Sequence, residues 1–420
     1  MRSVAVVGAS LAGLAAARAL RAQGYDGRIT LIGDEPRAPY DRPPLSKDFL
    51  LGRTSAEELA LGTEDDEPLD LDWRLGTAAT GLDPRGRRIT LADGGEVRAD
   101  GVVLATGARA RPLPGAGGAG TGPASDTASG AGGTAGVHTL RTLDDALALR
   151  EALGAGGPLV VVGAGFIGAE VASTALACGV DVTVVEALPV PLAGPLGPEM
   201  GAVCAGLHTD HGVPLLCGTP VRRLLGDARV EGLELADGTV LPAAAVLVGI
   251  GSLPNTEWLA GSGLDATADL RGGVPTDGRG ATALPGVVAV GDCAAAYQPD
   301  TGGHVRTEHW TDALRQPETA VRALLAGADA QGAQDAQDAP GARGPLPYFW
   351  SEQYGVRLQF AGTRRDGDTV RVEAGDPEDR SFLAVYERDG SPTAVLGMDQ
   401  PKKFTRWRRQ LAARWAAVAT

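Results

Sequence analysis

The sequence predicts an α/β protein with two doubly wound domains, followed by a smaller α+β domain. Two observations lead to this prediction. A strand, a glycine-rich turn, a helix and a second strand occur in this order twice, beginning near residues 4 and 159, and this order is typical of parallel sheets with crossover helices. From residue 346 onward, apolar and polar residues alternate as they do in antiparallel strands.

The first of the two units opens the chain. Its strand, residues 4–7, meets the turn "GASLAG", and the strand after the helix ends at two acidic residues. In a dinucleotide-binding (Rossmann) unit, the glycines allow a tight turn and close packing, the helix N-terminus faces a pyrophosphate, and an acidic residue accepts the ribose hydroxyls. Serine replaces the middle glycine here, and the alternative is a plain βαβ crossover. The residues predicted to bind are Gly8, Ser10, Gly13, Asp34 and Glu35.

The second unit has the full GxGxxG pattern, and an acidic residue closes its next strand. Two such units in one chain indicate two dinucleotides, a resident redox carrier and a diffusible electron donor. Glu186 would accept a hydrogen bond from a ribose 2′-hydroxyl, whereas it would repel a 2′-phosphate by roughly 4 kcal/mol at about 4 Å and an effective dielectric of about 20. Residues 187–194 contain no Arg or Lys, so NADH is favoured over NADPH. The residues predicted to bind are Gly163, Gly165, Phe166, Ile167, Gly168 and Glu186.

Composition excludes several other classes of protein. The net charge of −14 argues against a nucleic-acid partner, and no apolar run approaches the roughly 18 residues that a membrane span needs. The four cysteines lie far apart, without a CxxC pair or a Cys/His cluster. We therefore expect a cytoplasmic protein with no metal site, no dithiol centre and no membrane partner.

Further segments extend the pattern along most of the chain. In order, they are "PYDRPPLSKDFL", "VVLATGARARPLP", "HTLRTLDDA", "VVVGAGFIGAEVA", "LVGIGSLPN", "VVAVGDCA", "EHWTDALRQ" and "YFWSEQYGVRLQFAG". With these segments the sequence resembles the FAD-dependent, NADH-linked ferredoxin reductases that serve oxygenases. The resemblance implies a glutathione-reductase-like fold, which apoptosis-inducing factor shares.

The resemblance also implies the site. The proline-rich stretch would run along the flavin, with Ser46 capping a helix and Lys47 beside the ring system, in an ion pair with Glu170. A fixed cation there stabilises the negative charge that develops when a flavin accepts a hydride. The other cofactor contacts that the resemblance implies are Ala12, Asp34, Arg42, Pro44, Ala79, Thr106, Gly107, Arg141, Gly251, Gly291, Asp292, Glu308, His309 and Trp310.

The domain limits follow from the same comparison, because the FAD domain of such proteins is discontinuous. Residues 115–136 and 327–345 are rich in Gly and Ala and lack an apolar pattern, which is typical of linkers or insertions. The predicted limits are 1–115 for the first part of the FAD domain, 116–245 for the NAD domain with a flexible insert at 116–136, 246–328 for the second part of the FAD domain, 329–345 for a linker and 346–420 for a C-terminal α+β domain.

The function that the resemblance implies is electron transfer. FAD would take a hydride from NADH and pass single electrons to a small iron–sulfur ferredoxin, which feeds a haem monooxygenase or a ring-hydroxylating dioxygenase. The basic segment "PKKFTRWRRQLAARW" is either the ferredoxin-docking surface or a solvated terminal helix. The alternatives are an NADH oxidase or quinone reductase without a protein acceptor, and a flavin-based redox sensor. Both a monomer and a homodimer remain open.

Overall fold

A computed structural model gives the structure of the chain. The residues that it describes are 1–114, 134–264, 271–298, 302–327 and 346–417. Of the predicted flexible insert only residues 134–136 are among them, and the predicted linker 329–345 lies wholly outside them.

The described residues form parallel and antiparallel sheets covered by helices, here named in chain order. Residues 1–114 form β1 (Ser3–Val7), α1 (Leu11–Ala22), β2 (Arg28–Gly33), β3 (Leu71–Leu75), β4 (Ala79–Asp83), β5 (Arg88–Leu91), β6 (Glu96–Arg98), β7 (Gly101–Leu104) and β8 (Ala108–Ala110). Residues 134–264 form β9 (Val137–His138), α2 (Leu143–Ala155), β10 (Leu159–Val162), α3 (Phe166–Ala177), β11 (Val182–Glu186), α4 (Ala193–Asp210), β12 (Leu215–Cys217), β13 (Val221–Leu225), β14 (Gly232–Leu235), β15 (Val240–Pro242), β16 (Ala245–Val248) and β17 (Ser252–Pro254). Residues 271–327 form β18 (Val274–Thr276), β19 (Val287–Ala289), β20 (Ala294–Gln298), β21 (Gly303–Arg306) and α5 (Trp310–Leu325). Residues 346–417 form β22 (Tyr348–Gln353), β23 (Val356–Gly362), β24 (Thr369–Asp376), β25 (Ser381–Arg388), β26 (Ser391–Met398) and α6 (Pro401–Ala417).

The first sheet is parallel and joins strands from distant parts of the chain. Its order is β19–β7–β1–β2–β3, and its central strands are continuous apolar runs because both faces are covered. Val4 and Val6 pack against α1 and α5, whereas Ala5 and Val7 pack against β4 and β5 on the other face. The carboxyl ends of β1 and β2 therefore place the first glycine-rich turn and the acidic pair at one edge of the sheet.

The second sheet repeats this design. Its order is β12–β11–β10–β16–β9, all parallel. Val161 packs against α2 and α3 on one face, and Val160 packs against the small antiparallel sheet β13–β14–β15 on the other. The predicted domain limit at residue 245 falls at the first residue of β16, which pairs with β10 as part of this sheet.

A short ribbon links the two sheets. β8 and β17 pair antiparallel, and just beyond them Thr106 Oγ1 donates to Asn255 O at 2.7 Å while Asn255 Nδ2 donates to Thr106 O at 3.0 Å. The chain therefore enters and leaves the second sheet side by side, which fixes the edge of one sheet against the edge of the other.

The C-terminal residues form the α+β domain that their alternating pattern predicts. The sheet is antiparallel in the order β22–β23–β26–β25–β24, and α6 packs on it through Phe404 and Leu411. Its other face packs on α4, where Tyr386 Oη donates to Leu196 O at 2.7 Å. None of the helices in the described ranges is long and apolar enough to cross a membrane.

Candidate functional site

A cavity of about 1030 Å³ lies where the two parallel sheets and the C-terminal domain meet. This volume is at the upper end of the range for ligand pockets, roughly 300–1,000 Å³. Both glycine-rich turns, the start of α5 and part of β22 open onto it. The predicted site residues that line it are Ser10, Ala12, Arg42, Lys47, Gly107, Arg141, Gly163, Gly165, Phe166, Ile167, Glu170, Glu186, Gly251, Asp292, Glu308, His309 and Trp310.

The other predicted residues are not among those that line the cavity. Thr106 is bonded to Asn255 in the link between the sheets, and Ala79 begins β4 and packs against the core of the first domain. The remaining predicted residues, all of them in the described part of the chain, also do not line the cavity: Gly8, Gly13, Asp34, Glu35, Pro44, Gly168 and Gly291.

Four of the predicted glycines are required by the backbone. Gly8 and Gly163 have φ angles of 121° and 102°, a region that favours glycine. A Cβ atom on Gly13 would overlap the carbonyl oxygen of Gly8, and one on Gly168 would overlap that of Gly163. These contacts allow each helix to start directly behind its strand, as the sequence predicts.

The helix N-termini at the two glycine-rich turns carry unpaired N–H groups. α1 begins after Ser10 and α3 after Gly165, and within the described residues no side chain caps either helix and neither has an acidic residue in its first turn. The first N–H groups of a helix have no partner within the helix, and they favour an anion. The two turns therefore fit the pyrophosphate groups of two dinucleotides.

The predicted ion pair between Lys47 and Glu170 is present, which confirms that prediction. Lys47 Nζ lies 2.6 Å from Glu170 Oε2, and the two side chains are 17% and 4% exposed. Lys47 Nζ also donates to Pro43 O at 2.9 Å. The proline-rich stretch of the first domain and α3 of the second domain thus hold one ammonium group in the cavity wall.

The carboxylate of Glu170 has further donors, and one of them corrects a prediction. Ser46 ends a 3-10 helix, Pro43–Ser46, and does not cap the start of a helix. Its hydroxyl donates instead to Glu170 Oε2 at 2.5 Å. Ser351 Oγ donates to Glu170 Oε1 at 2.7 Å, so residues from all three domains meet at this carboxylate. A buried carboxylate needs such donors to remain charged.

An arginine joins the first turn to the second domain. Arg42 donates to Glu35 Oε1 at 2.7 Å, to the carbonyl oxygen of Arg141 at 2.7 Å and to Ser10 Oγ at 3.4 Å. Burial would lower the pKa of Arg42, but Tyr40 and the Glu35 carboxylate outweigh this effect and raise it. Tyr40 Oη donates to the second oxygen of Glu35 at 2.5 Å. Both oxygens of Glu35 are therefore engaged by Arg42 and Tyr40, whereas Asp34 is exposed and its carboxylate accepts from Glu35 N–H at 2.9 Å.

Two arginines that line the cavity each form an ion pair with a carboxylate that also lines it. Arg141 donates to Asp292 Oδ2 at 2.7 Å, and Arg306 lies 2.6 Å from Glu308 Oε1. The Nε atoms of both arginines are buried and have no hydrogen-bond partner among the described residues. Burial would raise the pKa of Glu308, but the hydrogen bond from Ser252 and the charge of Arg306 outweigh it, so the pKa is lowered. The charges of these two pairs balance, and the two Nε–H groups are the donors that have no partner among the described residues.

Aromatic side chains close the cavity on the side of the C-terminal domain. The ring of Phe349 lies 4.8 Å from that of Phe166 and 5.2 Å from that of His309. Trp350 lies 6.0 Å from Trp310. Phe349 and Trp350 both line the cavity, so they do more than fill the core of the C-terminal domain.

At the second turn, Glu186 is held by backbone groups. Its Oε2 accepts from Ala164 N–H and its Oε1 from Leu188 N–H, both at 2.9 Å. The side chain is half-buried and lines the cavity. This arrangement fixes the carboxylate at the end of β11, where a dinucleotide would place its adenine ribose.

Several lining residues are absent from the sequence predictions. Asp41 accepts from Trp310 Nε1 at 2.8 Å, and Tyr40 donates to Glu35. Both belong to the proline-rich segment and immediately precede Arg42 in the sequence, so they could have been predicted as site residues. Arg306 gave no such signal, because it lies in the short strand β21. Ser351 is not a lining residue, and although it lies in the segment "YFWSEQYGVRLQFAG", nothing in that segment marks the serine as a partner of Glu170.

Two family models together match most of the chain. The family model described as pyridine nucleotide-disulphide oxidoreductase matches residues 2–323, and the one described as reductase C-terminal matches residues 348–419. The chain belongs to the pyridine nucleotide-disulphide oxidoreductases. This membership accounts for two parallel nucleotide-binding sheets and a separate C-terminal domain in one oxidoreductase.

The relatives of this oxidoreductase are ferredoxin reductases of oxygenase systems, as the sequence resemblance predicts. Rhodocoxin reductase of Rhodococcus erythropolis is 38% identical over 96% of this chain and 86% of its own length. The ferredoxin reductase component of chlorobenzene dioxygenase from Cupriavidus sp. (strain PS12) is 37% identical over 98% of this chain and 93% of its own length. The reductase in the covalent putidaredoxin reductase–putidaredoxin complex superposes with a TM-score of 0.86, at 33% identity over 98% of this chain and 93% of that one.

None of the four cysteines of this oxidoreductase is among the residues that line the cavity. All four are among the described residues, and none forms a disulfide. Burial raises the pKa of the Cys204 thiol to about 12 and also raises that of Cys293, so both thiols stay protonated and poorly reactive.

Proposed function

We propose that the chain is a FAD-dependent ferredoxin–NAD(+) reductase that takes a hydride from NADH and delivers single electrons to a ferredoxin of an oxygenase system. The observation that carries the proposal is the Lys47–Glu170 pair, with its 2.6 Å contact, in a cavity onto which two glycine-rich helix starts open. When bound, FAD supplies the step from a two-electron donor to a one-electron acceptor.

The first domain offers the groups that a FAD molecule requires. The N–H groups at the start of α1 would hold its pyrophosphate, and Asp34 its adenine ribose. Arg42 stands beside Ser10 at the same turn. Arg141, which belongs to the second domain and has no partner for its Nε among the described residues, would meet the flavin half together with Asp292. The N-terminus of α5 favours negative charge on the reduced ring.

The second domain offers the groups for NADH. The start of α3 would hold its pyrophosphate and Glu186 its ribose 2′-hydroxyl. Lys47 lies between the two turns, so its charge would stabilise the electron density gained during hydride transfer. Glu170 keeps this ammonium in place, and the aromatic side chains Phe349 and Trp350 exclude water from the junction.

The test is rapid-mixing reduction of the purified yellow protein, followed at the flavin absorption band. We expect rapid bleaching with NADH and slow bleaching with NADPH. An apoprotein that binds no FAD, or a FAD-loaded protein that neither nucleotide bleaches, would contradict the proposal. The second result would favour a flavin-based sensor.

The choice of electron acceptor distinguishes the proposed reductase from the two alternative enzymes. An NADH oxidase or a quinone reductase would turn over with oxygen or a quinone and would not reduce a ferredoxin. The proposed reductase transfers electrons to an acidic iron–sulfur ferredoxin faster than to oxygen. The four separated cysteines favour a reducing, cytoplasmic setting for it.

We also propose that α6 forms the ferredoxin-docking surface. Lys402, Lys403, Arg406 and Arg409 are exposed on this helix. Arg408 is different, since its guanidinium lies 3.8 Å above the Tyr348 ring and burial lowers its pKa. The helix that carries the exposed basic residues thus lies, through Arg408, over an aromatic stack that leads through Trp350 to the cavity. Complementary charge of this kind steers the encounter of two proteins.

Replacing Arg406 and Arg409 together by glutamine is expected to slow ferredoxin reduction by about tenfold at low salt, because rim charges act mainly on the association rate. NADH–ferricyanide activity should not change, since the cavity is untouched. The matched control is the Arg222→Gln/Arg223→Gln variant, which removes two adjacent exposed arginines of β13. Equal losses in the two variants would contradict docking at α6.

A further inference from the structure

A buried serine of the C-terminal domain contacts the ion pair in the cavity wall. Ser351 lies on β22 and is 0% exposed. Its hydroxyl donates to Glu170 Oε1 at 2.7 Å and accepts from Gln353 Nε2 at 3.1 Å. Because the amide of Gln353 occupies an acceptor position, the hydroxyl proton is directed at Glu170.

The two oxygens of Glu170 are held from opposite sides. Oε2 accepts from Lys47 at 2.6 Å and from Ser46 at 2.5 Å. Oε1 accepts from Ser351 at 2.7 Å and from Glu352 N–H at a longer 3.3 Å. The terminal torsion of a glutamate has broad minima, so these donors set the plane of its carboxylate. Without Ser351, Oε1 would keep one long contact.

We infer that Ser351 is a positioning residue for hydride transfer, an inference that rests on the proposed function. It touches neither nucleotide-binding turn, and it acts through Glu170 on the position of the Lys47 ammonium. The C-terminal domain therefore completes the ion pair, in addition to closing the cavity with Phe349 and Trp350.

The Ser351→Ala variant tests this role. The substitution removes one oxygen atom and so causes little change in packing. We expect the rate constant of flavin reduction at saturating NADH to fall roughly tenfold, as for the loss of groups that orient a reacting centre. The affinity for NADH and the FAD content should stay within about twofold, because no nucleotide-binding group changes. The midpoint potential of the flavin should become more negative, since a hydroxyl proton no longer offsets the charge of Glu170.

Two variants make the result specific. Ser173 Oγ accepts from Tyr354 N–H at 2.7 Å, so Ser173→Ala removes a bond between α3 and the same part of the C-terminal domain without touching Glu170. It should leave both rate and potential unchanged. Ser351→Thr keeps the hydroxyl and should return the rate toward that of the wild-type protein.

The outcomes separate this inference from the proposed function. A Ser351→Ala variant with wild-type rate and potential overturns the role of Ser351 and leaves the reductase in place. Equal losses in Ser351→Ala and Ser173→Ala also overturn it, because domain contact alone would then explain the effect. A wild-type protein that NADH does not reduce overturns the proposed function, and the role of Ser351 with it.

Discussion

Replacement of Lys47 by methionine is expected to slow flavin reduction by NADH by about 10²- to 10³-fold, the usual cost of removing one electrostatic contact to the transition state. Methionine keeps the length of the side chain but removes the ammonium that lies 2.6 Å from Glu170. Rapid mixing at saturating NADH measures the effect. A Lys47→Met variant within about threefold of the wild-type rate would contradict the role of Lys47, since that corresponds to less than 1 kcal/mol in the barrier.

Stability must be separated from catalysis in this variant. Removing one partner of a buried ion pair costs up to about 3–5 kcal/mol, and here the cost is lower because Ser46 and Ser351 still donate to Glu170. The Lys47→Met/Glu170→Gln double variant removes both charges and should recover the thermal unfolding temperature while remaining slow. Lys47→Arg keeps the positive charge and should retain most of the rate.

The ion pair was predicted through the family resemblance, and each partner belongs to a segment that carries this resemblance. Lys47 follows two prolines, and Glu170 lies one helical turn after Phe166 in the second glycine motif. The capping role of Ser46 was wrong for a local reason. Lys47 has φ −128° and ψ −109°, which is not helical, so no helix follows for Ser46 to cap.

Other parts of the site depended on tertiary contacts that a single sequence does not contain. Ser351 follows three aromatic residues in β22, but its partner Glu170 is 181 residues away, and nothing in the strand points to this contact. The position of Arg408 was open to prediction, because Phe404, Arg408 and Leu411 have helical spacing and share the face that packs on the sheet. Counting the basic residues of the segment does not distinguish Arg408, which packs on the Tyr348 ring, from its exposed basic neighbours.

The larger sheets of the fold could be predicted from the sequence, whereas the small sheets could not. The two parallel sheets follow from strong apolar strands joined by glycine turns, and such patterns are hard to satisfy in another way. The limit at residue 245 was less certain, because β16 has the same apolar character as its neighbours and only its pairing with β10 assigns it to the second sheet. The small antiparallel sheets consist of strands of three to five residues, too short for a clear period.

The Glu186→Gln variant is expected to reduce the preference for NADH over NADPH. In the wild-type protein the carboxylate is fixed by the N–H groups of Ala164 and Leu188, and it would face a 2′-phosphate. A repulsion of about 4 kcal/mol corresponds to roughly a 10³-fold difference in affinity, and we expect about 10²- to 10³-fold after screening by salt. Removing the charge should bring the ratio to about tenfold or less.

The measurement must distinguish charge from loop geometry, because an amide can accept only through one of its two terminal atoms. If Glu186→Gln acts through charge, the dissociation constant of NADPH falls while that of NADH changes by less than about threefold. If the loop instead loses its shape, both nucleotides bind more weakly. The control is Glu151→Gln, which removes an exposed carboxylate from α2 outside the cavity. An unchanged ratio of the NADPH and NADH dissociation constants in Glu186→Gln would contradict this role of Glu186. The charge at the ribose would then be lost without effect, and another part of the second turn would have to discriminate between the two nucleotides.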